Sequence, residues 1–440
     1  MPSLVSLLGL VVLLTVAWLL SNHRRRPPWR VIIWGLSLQF LFALLLLRTR
    51  SGHVIFEGAR QAISRILGFT DAGASFLFGD LYRTGPDLIE NIPPGAATTG
   101  HWLVTDAVTG QLVPLGTIFI IHVIPTIIFF SSLMAILYHL GIMQRIISGM
   151  AWLMRRSMGT SGSESLSCAA NIFVGQTEAP LVIRPYLSTA TMSELMAIMV
   201  GGFATVAGGV MAAYVRFGVD AGHLLAASVM SAPAALVVAK IIFPEREVSP
   251  TAGEVKLDVP REYANLLDAA AGGATVGLRL AANVGAMLLA FIALVAMINF
   301  GLDKTGGWLH QIGWTGAPTS LQDIFGFIFA PIAFVMGVPW SEAKTFGNLL
   351  GTKIAVNEFV AYIELMKTVG DHTLSPRSVI IGTYALCGFA NFGSIAIQIG
   401  GIGSVAPTRR SDVAKLGLRA MFGGALASWL TATIAGILTR

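Results

Sequence analysis

Long uncharged runs, bounded by short clusters of charge, divide this chain. A helix needs about 20 apolar residues to cross a bilayer, and eight windows of that kind stand out: roughly 3–22, 31–47, 115–141, 195–215, 221–239, 281–302, 378–400 and 420–439. The first keeps Arg24, Arg25 and Arg26 after its apolar run, the reverse of a cleaved signal peptide, so it is expected to remain as a span. Residues 53–68 mix apolar and charged positions as an amphipathic helix in the interface does.

A repeat runs through the windows. MGxxxSE occurs at 158–164 and 336–342 (336 − 158 = 178). Each copy is followed by an apolar stretch broken by an acidic residue, GQTEAP around Glu178 and VNEFVAY around Glu358 (358 − 178 = 180). GFAT at 202–205 and GFAN at 388–391 then match inside long spans (388 − 202 = 186). The stretches at 165–183 and 343–366, which hold Gly175, Glu178 and Pro180 or Lys353 and Glu358, make poor continuous crossings and read as re-entrant hairpins. With three true crossings per copy, an odd number, the second copy is inverted relative to the first, an architecture of secondary transporters.

The expected fold is therefore an all-α integral membrane protein of eight transmembrane helices and two re-entrant helical hairpins, with an inverted repeat and broken helices. Its predicted parts are N-terminal scaffold spans at 1–114, a first repeat at 115–243 with a hairpin near 163–190, a cytoplasmic connector at 244–280, and a second repeat at 281–440 with a hairpin near 343–366.

Composition agrees. Of 440 residues 54% are hydrophobic and 12% charged, against about 25% charged in soluble proteins, and the mean hydropathy is +0.73. The net charge, 29 − 23 = +6, comes in clusters between spans, which argues topology and not nucleic acid. Arg24–Arg26, Arg145/Arg155/Arg156 and Arg409/Arg410/Lys415 follow spans one, three and seven, so they share the cytoplasmic side if both termini lie outside a cell (inner or plasma) membrane. Arg48, Arg50, Arg60 and Arg65, after span two, depart from that pattern. Cys168 and Cys387 are too far apart in sequence for a local metal motif, and His122 and His139 are isolated. No Walker A loop, HExxH or nucleophilic triad is present, so neither an enzyme nor a catalytic cofactor is expected.

Ionisable residues at membrane depth usually face a cavity or a partner, which singles out Glu178 and Glu358. Pro180 suits the first turn of a helix, placing Gln176, Thr177 and Glu178 at an unwound tip beside a helix N-terminus. In the Gly-broken spans Thr205 and Asn391 recur at matching places, and Ser394 shares a helix face with Asn391.

At these residues the sequence resembles the concentrative nucleoside transporter family, through GQTEAP at 175–180, NEFVAY at 357–362 and GFANFGSIAIQIGG at 388–401, in order from about residue 31 to the C-terminus. The resemblance implies a homotrimer in membrane lipid, with scaffold and mobile parts, that imports nucleosides with a cation gradient. It places Gln176, Thr177, Glu178 and Val210 at the nucleobase, Glu358, Asn391 and Ser394 at the ribose hydroxyls, and Phe389 against the substrate. A carboxylate and an amide suit vicinal hydroxyls.

Sodium is the expected coupling ion, because it needs several oxygen ligands and no titrating group. Asn171 and Thr205 are the side-chain candidates, and the resemblance adds the carbonyls of Val174, Thr205 and Val206, with Thr177 nearby. The presence of Asn171 favours sodium, because the resemblance implies that some family members lack that Asn and use protons. Asn171 bracing the hairpin, proton coupling through Glu178 or Glu358, a channel for small polar solutes and a membrane-embedded nucleoside-modifying enzyme are the competing readings.

Overall fold

The computed structural model describes residues 2–25, 27–82, 104–105, 112–113, 118–252, 263–313 and 316–439. Arg26, residues 115–117 of the third window and 253–262 of the expected connector lie outside these. Apart from a two-residue β pair, Val104–Thr105 with Leu112–Val113, the regular elements among the described residues are helical.

The first two windows form α1 (Pro2–Leu19) and α2 (Trp29–Arg48), and the amphipathic stretch belongs to a longer helix, α3 (Arg50–Phe78). The third becomes a π turn, Phe119–Val123, continuing into α4 (Ile124–His139), followed by the amphipathic α5 (Ile142–Met158). The first hairpin is α6 (Gly162–Ala170), an unwound tip, α7 (Ala179–Val182) and α8 (Arg184–Leu187). The fourth window breaks into α9 (Met192–Ala204) and α10 (Gly208–Arg216), and α11 (Ala221–Ile242) follows.

The second copy repeats this order. It runs through α12 (Leu266–Gln311), α13 (Leu321–Val335), a hairpin of α14 (Trp340–Ala355) and α15 (Glu358–Gly370), a broken span of α16 (Pro376–Leu386) and α17 (Phe392–Val405), and α18 (Arg410–Leu438). Residues 266–280, expected in the connector, are part of α12. Its 46 residues span roughly 69 Å at 1.5 Å per residue, more than twice the hydrocarbon thickness.

The repeated motif now has a physical meaning. In both copies its glycine stops one helix in the left-handed region, Gly159 at φ 74° and Gly337 at φ 103°, where a side chain would be strained. Its glutamate is the third residue of the next helix, Glu164 of α6 and Glu342 of α14, where a carboxylate faces free backbone N–H groups. In the first copy the capping box is complete, with the Ser161 N–H donating to Glu164 Oε1 at 2.8 Å. In the second, Glu342 Oε2 instead accepts from Ser375 Oγ at 3.1 Å.

The two hairpins enter from opposite ends. The foot of the first joins α11 through Lys240 Nζ to Glu164 Oε2 at 2.6 Å. Close by, the Asn22 N–H donates to Ile242 O at 3.0 Å and Arg419 Nη1 to Asn22 Oδ1 at 2.5 Å. Arg30 Nη2 binds Arg156 O at 3.3 Å, so the basic clusters gather at this end. At the other end Ser6 Oγ donates to Met336 O at 2.9 Å and Arg377 Nη2 to Gly436 O at 2.6 Å, which places the second hairpin's foot beside both chain ends.

Burial separates two classes of span. The apolar windows of α9–α10 and α11 are 89% buried, those of α4 and α12 17%. α1 and α2 pack on α11 and α18. α12 lies along α4, where a Cβ on Gly277 would stand 2.8 Å from Ile128 Cα and one on Gly273 2.8 Å from Ser132 Cα. Small residues four apart thus set a close helix contact.

Candidate substrate and cation site

The two broken spans cross at their breaks. Gly388 has φ 129°, and a Cβ there would lie 2.6 Å from Phe203 O, so both backbone angle and space require glycine. Breaking α16 exposes carbonyls that must find donors at membrane depth. Tyr362 Oη donates to Thr383 O at 2.7 Å, Lys353 Nζ to Ala385 O at 2.9 Å and Ser428 Oγ to Cys387 O at 2.6 Å. The wholly buried Lys353, which at sequence level only interrupts an apolar stretch, is therefore a cation set against a helix C-terminus. The chain restarts at Asn391, whose Oδ1 accepts from the Ser394 N–H at 2.8 Å.

The second hairpin tip delivers a carboxylate to that restart. Asn357 caps α15 through Val360 N at 2.9 Å, so Glu358 is the first helical residue, where the helix dipole favours negative charge. Its Oε1 accepts from Tyr214 Oη at 2.9 Å and its Oε2 from Asn391 Nδ2 at 3.1 Å. Tyr214, on α10, is fixed by ring contacts with Tyr362 at 4.5 Å and Phe359 at 5.5 Å. Glu358, Asn391 and Ser394 are all buried, and Phe389 is half-buried at the break.

The first tip reaches the same helix further along. Glu178 immediately precedes α7, which has Pro180 in its first turn, and Glu178 Oε2 accepts from the Gly175 N–H at 3.4 Å. Gln176 Oε1 accepts from Gln398 Nε2 at 3.1 Å, and Gln398 also donates to Met199 O at 3.0 Å. Thr177 is exposed beside α17, its Cγ2 3.0 Å from where a Cβ on Gly401 would stand. Val210 is buried in the first turn of α10. The tip is pinned to the first break by the Gly208 N–H donating to Phe173 O at 3.0 Å.

Asn391, Ser394 and Gln398 thus form one face of α17 at i, i+3 and i+7. The contact with the second tip and the contact with the first are 398 − 391 = 7 residues apart, roughly 10 Å at helical rise. Sequence reasoning brought Glu358, Asn391 and Ser394 together, and missed Tyr214 and Gln398. Gln398 was legible from its spacing to Asn391. Tyr214 comes from the other repeat, and no local pattern marks it.

Asn171 sits where α6 ends. Its Nδ2 donates to Ser167 O at 3.0 Å, while its Oδ1 is buried without a partner. A Cβ on Gly201 would lie 3.5 Å from Asn171 Nδ2, so the amide abuts the last turn of α9. Thr205 Oγ1 donates back to Gly201 O at 2.9 Å, keeping its lone pairs available. The carbonyls of Val174, Thr205 and Val206 accept no backbone hydrogen bond among the described residues. These oxygens, hard donors of the kind a monovalent cation takes, sit on two segments that meet at Gly201 and at the Phe173–Gly208 bond.

Residues 8–81 match the Na+ dependent nucleoside transporter N-terminus, 223–436 its C-terminus, and 120–221 a nucleoside recognition (Gate) model. A Haemophilus influenzae protein described as an uncharacterized transporter is 44% identical over 441 residues, covering 99% of this chain and 98% of its own. Sodium/nucleoside cotransporter 1 of Rattus norvegicus is 42% identical over 450 residues, 99% of this chain, which spans 64% of that relative's length. Among solved structures, CNTnw in an inward-facing substrate-bound state superposes with a TM-score of 0.87 at 42% identity, covering 100% of this chain and 98% of that one. A CNTnw variant in an outward-facing state gives 0.88 at 42% identity and the same coverage. The chain belongs to the concentrative, sodium-dependent nucleoside transporter family, a family of membrane transporters and not of enzymes.

Proposed function

We propose that the chain is a sodium symporter that imports nucleosides across a cell membrane. The observation that carries this reading is the face of α17, with a carboxylate–amide pair at one end and a Gln–Gln pair roughly 10 Å away, about the length of a nucleoside. Glu358 and Asn391 suit vicinal ribose hydroxyls, the carboxylate accepting and the amide donating. Ser394, on the same face, adds a hydroxyl. At the other end Gln176, Thr177 and Glu178 meet the mixed donors and acceptors of a base edge, with Val210 and Phe389 supplying apolar contact.

Sodium belongs with Asn171 Oδ1, Thr205 Oγ1 and the carbonyls of Val174, Thr205 and Val206, with Thr177 at the same tip. Bound there, it would supply positive charge to a hairpin tip rich in unpaired oxygens. The chain's own part is to hold that tip on the first break through Phe173 and Gly208, and to present Gln176 to α17. Cation and base contacts thereby share one short segment, 171–178, which couples their affinities.

Gathering of basic residues at the foot of the first hairpin supports a cytoplasmic placement of that end and an external one for both termini. The repeats, 115–243 and 281–440, supply the cavity. Family membership supports a homotrimer. Binding of labelled uridine and adenosine to the purified protein, competed by 2′,3′-dideoxy analogues, tests the substrate reading. The analogues should compete poorly, and equal competition would remove the ribose assignment.

A further inference from the structure

The repeat puts two polar side chains in corresponding places. In the first copy Asn171, at the end of α6, abuts Gly201 in the last turn of α9. In the second, Lys353, in the last turn of α14, donates to Ala385 O in the last turn of α16 at 2.9 Å. The offsets, 353 − 171 = 182 and 385 − 201 = 184, fall inside the 178–186 over which the sequence motifs recur. In each copy one side chain from the first arm of a hairpin meets the end of the first half of a broken span.

What the two bring there is opposite in sign. Asn171 Oδ1 is buried without a partner, and the carbonyls of Thr205 and Val206 at the adjoining break accept no backbone hydrogen bond among the described residues. That copy offers oxygens and needs a cation. In the second copy Thr383 O, Ala385 O and Cys387 O are taken by Tyr362 Oη, Lys353 Nζ and Ser428 Oγ. There the chain carries the positive charge itself.

Lys353 is 0% exposed, and a buried charge is costly unless it is compensated. Among the described residues Ala385 O is its one hydrogen-bond acceptor and no ion pair includes it. Compensation comes from two helix C-termini, its own and that of α16. It comes also from Glu358, across the tip (358 − 353 = 5), whose carboxylate feels the Lys353 charge.

We propose that the Lys353 ammonium is a tethered cation, filling in the second copy the place the coupling ion takes in the first. It keeps the Glu358 carboxylate balanced for ribose hydroxyls at every sodium concentration, so the sodium requirement is confined to the first hairpin. Lys353 is a positioning residue, acting on the substrate through Glu358. The inference rests on the sodium reading above.

Equilibrium binding of labelled uridine to the purified protein, titrated with sodium against choline at fixed pH, tests this in two variants. Lys353→Met should bind uridine about tenfold more weakly at saturating sodium, with discrimination against 2′,3′-dideoxyuridine reduced. Lys353→Ala leaves room for a free cation. Propylammonium, the part of the side chain removed, should restore its uridine binding, and its sodium dependence should be steeper than that of the unmodified protein as a second ion enters. Unchanged affinity, a parallel fall for uridine and dideoxyuridine, or no rescue of Lys353→Ala by either cation would each overturn the tethered cation. If neither single variant folds, Lys353→Met/Glu358→Gln removes both charges and should fold; its failure as well would overturn the charge balance. Uridine binding by the unmodified protein that ignores sodium would instead overturn the symport reading itself.

Discussion

Asn391 Nδ2 donates to Glu358 Oε2 at 3.1 Å, joining the restart of the second broken span to the tip of the second hairpin. The same amide caps α17 through the Ser394 N–H at 2.8 Å, so one side chain both starts the helix and orients the carboxylate. Under the proposed ribose assignment, a hydroxyl entering here would meet groups already held in place, which lowers the ordering cost of binding.

Glu358→Gln and Asn391→Ala should each lower nucleoside uptake by about tenfold to a hundredfold, since hydrogen bonds to a charged group contribute about 1.5–3 kcal/mol. Protein yield and detergent melting curves should show both variants folded. Uptake at the unmodified level by either would remove the ribose assignment.

Gln398→Leu should change base preference more than ribose recognition. Gln398 holds Gln176 at the opposite end of α17 from Glu358, and without it the Gln176 amide is free to turn. The ratio of uridine to adenosine uptake should shift while discrimination against dideoxy analogues persists. A uniform fall for all substrates would argue that Gln398 only braces the hairpin.

A disulfide can measure whether the first tip stays on α17. A Cβ on Gly401 would stand 3.5 Å from Thr177 Cβ, at the short end of the range disulfides require. T177C/G401C should therefore oxidise readily and stop transport, and reduction should restore it. The native Cys168 and Cys387 are buried and leave the assay undisturbed. Full transport by the oxidised protein would show that the tip does not need to leave α17.

Much of this fold is written locally. The MGxxxSE repeat carries both a helix stop and the next helix start, and GFAT and GFAN mark the two crossing breaks. What escaped is long-range or lies outside the hydrocarbon. The window for α12 stops near Arg279, yet the helix extends back to Leu266 because charge outside the apolar layer costs little. Tyr214 reaches Glu358 from the other repeat, 144 residues away, and Lys353 gains its role only when α16 breaks beside it. The two hairpin tips meet α17 about two turns apart, at Asn391 and at Gln398, a long-range arrangement that no local pattern marks.

Lys240→Met should destabilise the protein by about 3–5 kcal/mol, as removal of one partner from a buried pair does, because Glu164 would be left without its cation. The Lys240→Met/Glu164→Gln double variant should recover much of the loss. Melting curves showing no rescue would mean that Lys240 acts mainly through Ser193, to which it donates at 2.8 Å.

The most direct measurement of sodium-coupled nucleoside import is uptake of labelled uridine and adenosine into proteoliposomes at fixed pH, with an inward sodium gradient or with choline in its place. Concentrative uptake is expected with sodium and none with choline, with loss of the sodium dependence in Asn171→Ala. Uptake indifferent to choline and driven instead by an imposed pH gradient would contradict it, and would move the coupling role from Asn171 to the carboxylates of the hairpin tips.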